Sequence, residues 1–248
     1  MHLILTGATG LIGSAVLDIM LKDPQVTKIS ILSRSPVPQA WSHEKADAIY
    51  VKDFASYSPE LLQRLDSAHG CVWALGETRR QGIDTEALER INIEYPIVAA
   101  KAFTEGKQSF NFVFVSVHGV EQAQHEDMVH KGRAETGLLA IAKEDPAFKF
   151  YSLRLCAMDY RGHKAIHPYI KYPRPWYKIA ASWVIPVIKY FYPLLNCDSP
   201  DFATLLVELA KSDGSPMDSP NTIEDGRILG APGFNDLVQK FKAEKKDN

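Results

Sequence analysis

Short apolar runs alternate with amphipathic segments along the first 155 residues of the chain. Continuous apolar runs indicate buried strands, and apolar residues that recur at helical spacing indicate helices. The predicted strands are 2–6, 28–32, 48–51, 70–76, 112–117 and 148–155. The predicted helices are 14–21, 59–65, 85–105, with a kink at Pro96, and 126–143. Because strands and helices in this alternation form parallel sheets with right-handed crossovers, the pattern predicts an α/β fold with a doubly wound parallel sheet.

The pattern changes in the last third of the chain. Residues 168–195 are rich in Tyr, Trp and Pro, which predicts a small C-terminal cap on the substrate side rather than a further crossover. Residues 226–230 are predicted to form a late edge strand, and the charged tail 242–248 is expected to fray. The predicted organisation is a core of residues 1–155 and a cap region of residues 156–241 in the same domain.

A glycine-rich turn joins the first strand to the first helix. Its glycines are spaced three residues apart, at Gly7, Gly10 and Gly13. They let the backbone turn sharply, let a pyrophosphate approach it, and let the helix pack closely on its strand. The helix N-terminus adds free N–H groups and a partial positive charge. This context predicts a dinucleotide-binding Rossmann fold, with the phosphates at Gly7, Thr9, Gly10, Leu11, Ile12 and Gly13.

Arg34 follows the second predicted strand, where a dinucleotide-binding fold meets the adenosine ribose. An acidic residue at this position selects NAD, and a basic residue accommodates the 2′-phosphate of NADP. Arg34 therefore favours NADP as the cofactor. The alternative is a solvated surface arginine, because no second basic residue follows closely in the sequence to share the phosphate.

Composition and charge argue against several other classes of protein. The 28 Lys+Arg and 30 Asp+Glu among 248 residues are nearly balanced, which argues against a nucleic-acid binder and leaves a small-molecule substrate. Cys71, Cys156 and Cys197 fit neither a disulfide framework nor a zinc site, and no metal site is expected. The first strand begins at residue 2 with no signal sequence before it, so a cytoplasmic protein is expected.

Several motifs together resemble the extended and atypical short-chain dehydrogenase/reductases, in particular the small nucleoside-diphosphate-sugar-epimerase-like proteins of the Tat-interacting oxidoreductase group. They are the glycine turn, Asp53-Phe54 after the third strand, Ala74-Leu75-Gly76 after the fourth, Ser116 at the end of the fifth, and Lys131-Gly132-Arg133-Ala134-Glu135. The likeness covers residues 1 to about 160. It implies an oxidoreductase whose cofactor is also contacted by Asp53, Phe54, Ala74, Leu75, Gly76 and Lys131.

That family uses a serine, a tyrosine, and a lysine four residues after the tyrosine. The resemblance implies that Ser116 orients the substrate oxygen and that Lys131 holds the nicotinamide ribose, but Asp127 occupies the tyrosine position. Asp127 and Lys131 lie one helical turn apart, which favours an ion pair and a charged carboxylate. Such a carboxylate acts as a base and donates no proton. Alternatively, Asp127 only complements the dipole of its helix.

The substitution at Asp127 leaves three hypotheses of function. The first is an NADP-dependent oxidoreductase for a small apolar or aromatic carbonyl or alcohol, in which Asp127, His118, His130 or Tyr160 replaces the tyrosine. His130 is otherwise expected on the helix surface. The second is a dinucleotide-binding sensor or interaction protein without turnover. The third is an isomerisation, elimination or cyclisation with Asp127 as the base.

Residues 179–192 carry two apolar rows at fourfold spacing, typical of a broad apolar helical face. Pro186, Lys189 and Pro193 interrupt the segment, which falls short of the roughly 20 apolar residues that a bilayer crossing needs. No integral membrane span is therefore predicted. Three interpretations stay open: a core element or substrate lid, a homodimer surface, and shallow membrane association helped by neighbouring basic residues.

Overall fold

A computed structural model of the protein describes residues 1–78, 84–122, 125–170 and 196–247, and side chains except those of residues 126, 127, 196 and 244–247. The strands are β1 (His2–Thr6), β2 (Lys28–Ser33), β3 (Ala46–Tyr50), β4 (Ala68–Trp73), β5 (Phe110–Val117), β6 (Phe148–Leu155), β7 (Ala157–Asp159), β8 (Asn196–Asp198), β9 (Thr222–Ile223) and β10 (Ile228–Gly230). The α-helices are α1 (Leu11–Lys22), α2 (Pro59–Leu65), α3 (Thr85–Glu89), α4 (Tyr95–Thr104), α5 (Glu126–Glu144), α6 (Ser199–Lys211) and α7 (Phe234–Asp247).

The main sheet has the strand order β3-β2-β1-β4-β5-β6-β10-β9. Its neighbouring strands are parallel except for β9, which runs antiparallel to β10. The predicted α/β fold with a doubly wound parallel sheet is confirmed. Because β1 pairs with β2 on one side and β4 on the other, the strand order reverses at β1, and ligands of such sheets bind outside the strand ends at this point.

Helices cover both faces of the sheet. Alternate strand residues such as Leu5 and Val113 pack against α1, α6 and α7, while the intervening residues such as Ile4 and Phe112 pack against α2, α4 and α5. A strand that is covered on both faces needs an unbroken apolar sequence, which explains the apolar run in β5. Helix α6 lies beside α1 and supplies the crossover between β6 and β10.

Several elements differ from the sequence prediction. β4 ends at Trp73 instead of residue 76, so Ala74, Leu75 and Gly76 form the loop that follows the strand. The strand predicted at 226–230 is present as β10, but it is not the edge strand, because β9 pairs with its outer side. Helix α6 was not predicted. The irregularity expected at Pro96 lies one turn earlier, where a π-helical turn (Arg90–Glu94) joins α3 to α4.

The aromatic segment 179–192 lies outside the described residues, together with the rest of residues 171–195 of the predicted cap region. Strands β7 and β8 pair in parallel with each other, apart from the main sheet. Helix α7 extends to Asp247 and includes the tail for which fraying is expected. Among the described residues, no helix is both long and apolar enough to cross a membrane.

Candidate active site

The glycine turn is shaped by two glycines that accept no side chain. Gly7 has φ +71°, and a Cβ on it would lie 2.4 Å from the carbonyl oxygen of Ala74. A Cβ on Gly13 would lie 2.0 Å from the carbonyl oxygen of Gly7. The Gly10 N–H donates to the same Gly7 oxygen at 2.9 Å and closes the turn. The first turn of α1 is therefore packed directly on the loop that ends β1.

The N-terminus of α1 is suited to an anion. Its N-cap is Gly10, which has no side chain to occupy the free N–H groups, and the first turn carries no acidic residue. Thr9, Leu11 and Ile12 are partly exposed around this turn. The free N–H groups and the helix dipole together favour a phosphate at this position. The structure thus brings the glycine-turn residues that the sequence singled out to one helix end.

The loop after β4 lies beside the glycine turn. The Leu75 N–H donates to Thr6 Oγ1 at 3.3 Å, which joins this loop to the end of β1. Asn92, buried in the π-helical turn, donates from Nδ2 to the Glu77 carbonyl at 2.9 Å and accepts from the Glu77 N–H at 3.0 Å. Asn92 is a residue of this site that the sequence pattern did not predict. A lone asparagine among the apolar residues of a helix was the available signal.

Lys131 reaches the same edge of the sheet from α5. Its Nζ donates to the Val115 carbonyl at 3.2 Å and lies 4.6 Å from the centroid of the Phe114 ring. A Cβ on Gly76 would lie 2.8 Å from this Nζ, so the missing side chain of Gly76 leaves the space that the ammonium group approaches. Desolvation by burial lowers the pKa of Lys131 from 10.5 to about 8.

Ser116 is the penultimate residue of β5 and is buried. It continues the alternate positions of Phe112 and Phe114, which pack against the helical layer that contains α5. Its Oγ has no hydrogen-bond partner within the described part of the chain. An unpaired buried hydroxyl is costly, and a ligand oxygen would satisfy it. Ser116 and Lys131 therefore lie on one side of the sheet, at the end of β5.

The position of the missing tyrosine lies in the first turn of α5. The side chain of Asp127 is outside the described residues, so its ion pair with Lys131 stays a prediction. His118 is exposed after β5, and Tyr160 follows β7 and contacts the His167 ring at 6.0 Å between centroids. The expectation that His130 lies on the helix surface was wrong. His130 is buried, because it shares a helix face with Ala134, which packs into the core.

The adenosine end of the site lies at the ends of β2 and β3. Arg34 is exposed immediately after β2. Asp53 follows β3, and its Oδ2 accepts from Nη2 of Arg90 at 2.8 Å. Phe54 is buried, and its ring lies 6.0 Å from that of Trp73 and 5.8 Å from that of Tyr95. The Phe54 ring thus anchors this loop in the core instead of facing the open edge of the sheet.

No family model matches the chain. The chain is 34% identical to the leucinostatins biosynthesis cluster protein T of Purpureocillium lilacinum over 272 aligned positions, which cover 100% of this chain and 98% of that relative. The chain belongs to the family of this protein. Membership rests on similarity that extends over the whole length of this chain and nearly all of that relative.

Solved structures show which fold this family has. The PhqB reductase domain from Penicillium fellutanum matches with a TM-score of 0.66 at 14% identity, over 93% of this chain and 66% of that one, so this chain spans about two thirds of that domain. The UDP-glucuronic acid 4-epimerase from Bacillus cereus, solved in complex with NAD, matches with a TM-score of 0.64 at 14% identity, over 98% of this chain and 82% of that one. At this identity the two matches show the fold alone, and it is the Rossmann-type α/β fold that the predicted resemblance implies.

Proposed function

We propose that the protein is an NADP-dependent oxidoreductase of the atypical short-chain type, acting on a small apolar or aromatic carbonyl or alcohol. The observation that carries this proposal is the position of Lys131. Its ammonium group and the unpaired Ser116 hydroxyl lie near the C-terminal end of β5, at the same edge of the sheet as the glycine turn that follows β1. This is the arrangement in which a dinucleotide lies across the strand ends.

The residues present fit a dinucleotide cofactor. The α1 N-terminus would hold the pyrophosphate, Arg34 and Asp53 the adenosine half, and Lys131 the ribose next to the nicotinamide. The gap at Gly76, which a Cβ would fill, leaves room beside the Lys131 ammonium. When bound, the cofactor supplies or accepts the hydride of the reaction. The epimerase with NAD supports the choice of ligand class, and Arg34 supports NADP over NAD.

Residues of this chain bind the substrate oxygen and the cofactor ribose. The Ser116 hydroxyl donates a hydrogen bond to the substrate oxygen, and Lys131 donates to the ribose hydroxyls. Since Asp127 stands where the family has a tyrosine, the proton for a substrate oxygen comes from another group or from water. The relative from Purpureocillium lilacinum is named for the biosynthesis of leucinostatins, and we infer that the substrate here is also a biosynthetic intermediate. We place the enzyme in the cytoplasm.

The test is turnover with a panel of small aldehydes, ketones and the matching alcohols, followed by NADPH absorbance. We expect a substrate-dependent change in absorbance, reduced about 100-fold or more in kcat by Ser116→Ala because the substrate oxygen loses its donor. Thr136→Ala on the exposed side of α5 is the control and should behave as wild type. Full activity in Ser116→Ala would contradict the assignment of this hydroxyl.

A second candidate function is favoured by Asp127 itself. Without the tyrosine, the protein binds the dinucleotide as a sensor or interaction protein and does not turn it over. Tight NADPH binding with no consumption across the whole panel would support this candidate. Product formation at constant NADPH would instead indicate non-redox chemistry with Asp127 as the base.

A further inference from the structure

The amine of Lys131 has an apolar neighbour on one side and a backbone carbonyl on another. Its Nζ lies 4.6 Å from the centroid of the Phe114 ring and donates to the Val115 carbonyl at 3.2 Å. Among the described residues, no carboxylate forms an ion pair with this amine. A lysine that loses its hydration without gaining a counter-ion is a candidate nucleophile, because such surroundings favour the uncharged amine.

The surroundings of this amine offer space and a hydrogen-bond donor to a carbonyl compound. Gly76 has no side chain, and a Cβ on it would lie 2.8 Å from Nζ of Lys131. Ser116 directly follows Val115, and its buried Oγ has no hydrogen-bond partner within the described part of the chain. Because Ser116 and Phe114 are alternate residues of β5, both face the layer that contains α5. A carbonyl oxygen bound to Ser116 therefore lies on the side of the sheet where the amine is.

The charge state of the amine decides whether it can react, since only an uncharged amine attacks a carbonyl carbon. Desolvation by burial lowers the pKa of Lys131 to about 8, so about a tenth of this amine is uncharged at pH 7. An ordinary lysine, with a pKa of about 10.4, is uncharged in fewer than about one molecule in a thousand at this pH.

Acidic residues also occur on the elements around Lys131. Glu135, one helical turn further along α5, accepts from Nε of Arg154 and is thereby compensated. Glu77 follows Gly76 in the loop after β4. Asp127 precedes Lys131 by one turn of α5, and its side chain lies outside the described residues. An ion pair with Asp127 would keep the amine charged, so the experiment below must separate the two arrangements.

We propose that Lys131 is a nucleophile that forms an imine with a small aldehyde or ketone whose oxygen binds to Ser116. This activity goes beyond the proposed hydride transfer, and it belongs to the protein before a dinucleotide binds. The uncharged amine attacks the carbonyl carbon, and the π electrons of the C=O bond move to the oxygen. The nitrogen then loses its two protons and the oxygen leaves with them as one water, so that a C=N bond replaces the C=O bond. Nothing is oxidised or reduced, and no co-reactant is needed.

The test is labelling of the full chain with benzaldehyde and sodium cyanoborohydride, which reduces an imine to a stable benzylamine, followed by peptide mass spectrometry. At pH 7 we expect Lys131 to be labelled about tenfold faster or more than the exposed Lys101 on α4, because more of its amine is uncharged. The ratio of the two rates should fall above pH 8, where the Lys131 amine is already mostly uncharged. Lys131 labelled no faster than Lys101, as an ion pair with Asp127 requires, would overturn the inference.

Variants test the geometry around the amine. Gly76→Ala places a methyl group against Nζ and should slow the labelling of Lys131 about fivefold or more. Gly162→Ala is the matched control, because a Cβ on Gly162 meets nothing within 4 Å, and it should be labelled as wild type is. Ser116→Ala should slow labelling about threefold, since the carbonyl oxygen loses its donor. Wild-type rates in both Gly76→Ala and Ser116→Ala would overturn the inference.

NADPH separates this inference from the proposed function. In the proposed function the cofactor ribose lies against Lys131, so saturating NADPH should slow the labelling of Lys131 and leave that of Lys101 unchanged. Fast labelling that NADPH does not slow would support the nucleophile and contradict the proposed position of the cofactor. Slow labelling of Lys131 together with tight NADPH binding by calorimetry would overturn the inference and leave the proposed function intact.

Discussion

Lys131 keeps an ammonium group in surroundings that disfavour its charge. Protein atoms displace much of the water around this group. Within the described residues, one backbone carbonyl and one aromatic ring compensate for the lost hydration. The lowered pKa, about 8, means that these contacts do not repay the desolvation. A residue that costs stability in the free protein is expected where a ligand supplies the missing partners.

Lys131→Met should therefore raise the free energy of unfolding at pH 7, by about 1–2 kcal/mol. The exposed Lys101→Met on α4 is the control and should change it little. Urea denaturation measures both.

The free energy of unfolding of wild type should also depend on pH. From pH 8 to 10.5, Lys131 binds more protons in the unfolded state than in the folded state, so the free energy of unfolding rises with pH. The gain in free energy of unfolding from Lys131→Met should therefore shrink over this range. A gain that stays constant up to pH 10.5 would contradict the desolvation of the Lys131 ammonium group.

At the scale of elements, α5 is attached to the sheet by a buried ion pair. Nε of Arg154 on β6 donates to both carboxylate oxygens of Glu135 on α5, at 3.1 and 3.0 Å, and Arg154 also contacts Glu121 before α5. Register pairs Arg154 with Ser116 on the neighbouring strand. The pair therefore holds the helix that carries Lys131 against the strand that carries Ser116.

Glu135→Gln should lower the free energy of unfolding by about 3 kcal/mol, because Arg154 stays buried with its charge less well compensated. Replacing both residues, as Glu135→Leu with Arg154→Met, should recover part of this loss because no buried charge is left behind. Denaturant unfolding of the two variants and wild type tests the coupling. Equal loss in the single and double variants would argue against a buried-charge penalty.

Elements and contacts differ in how far the sequence predicts them. β6 spans the predicted residues because its apolar run has clear ends, and the glycine turn is recognisable because the positive φ of Gly7 and the contact of Gly13 with Gly7 are local. Helix α6 was missed because the aromatic and proline-rich segment before it favoured a cap. Arg90 with Asp53 and Asn92 with Glu77 were missed because these partners are 37 and 15 residues apart and meet only through the sheet topology.

In the molecule as a whole, a cluster of buried polar side chains connects α1, the loop after β7 and the start of α6. His163 Nδ1 contacts Ser199 Oγ at 2.9 Å, and Nε2 contacts Asp18 Oδ2 at 2.8 Å. Asp18 lies on α1, Ser199 begins α6, and His163 follows β7. The helix of the glycine turn is thereby connected to the loop after β7 and to the first residue of α6.

His163→Leu should lower the free energy of unfolding by about 2 kcal/mol, because Ser199 and Asp18 each lose a buried hydrogen-bond partner. The exposed His43→Leu is the control and should leave stability within about 0.5 kcal/mol of wild type. Thermal and urea unfolding provide the comparison. Equal stability of the two variants would show that the cluster does not hold these segments together.

Calorimetric titration with NADPH and, in parallel, NADH tests whether the glycine turn and Arg34 bind an NADP-type dinucleotide. We expect tight binding with a clear preference for NADPH, a preference that is lost in Arg34→Ala and kept in the exposed control Arg133→Ala. Gly13→Ala should bind neither nucleotide, because its Cβ would displace the turn. Equal affinity of wild type for both nucleotides would contradict the role of Arg34. Absence of binding to either would contradict the dinucleotide site itself.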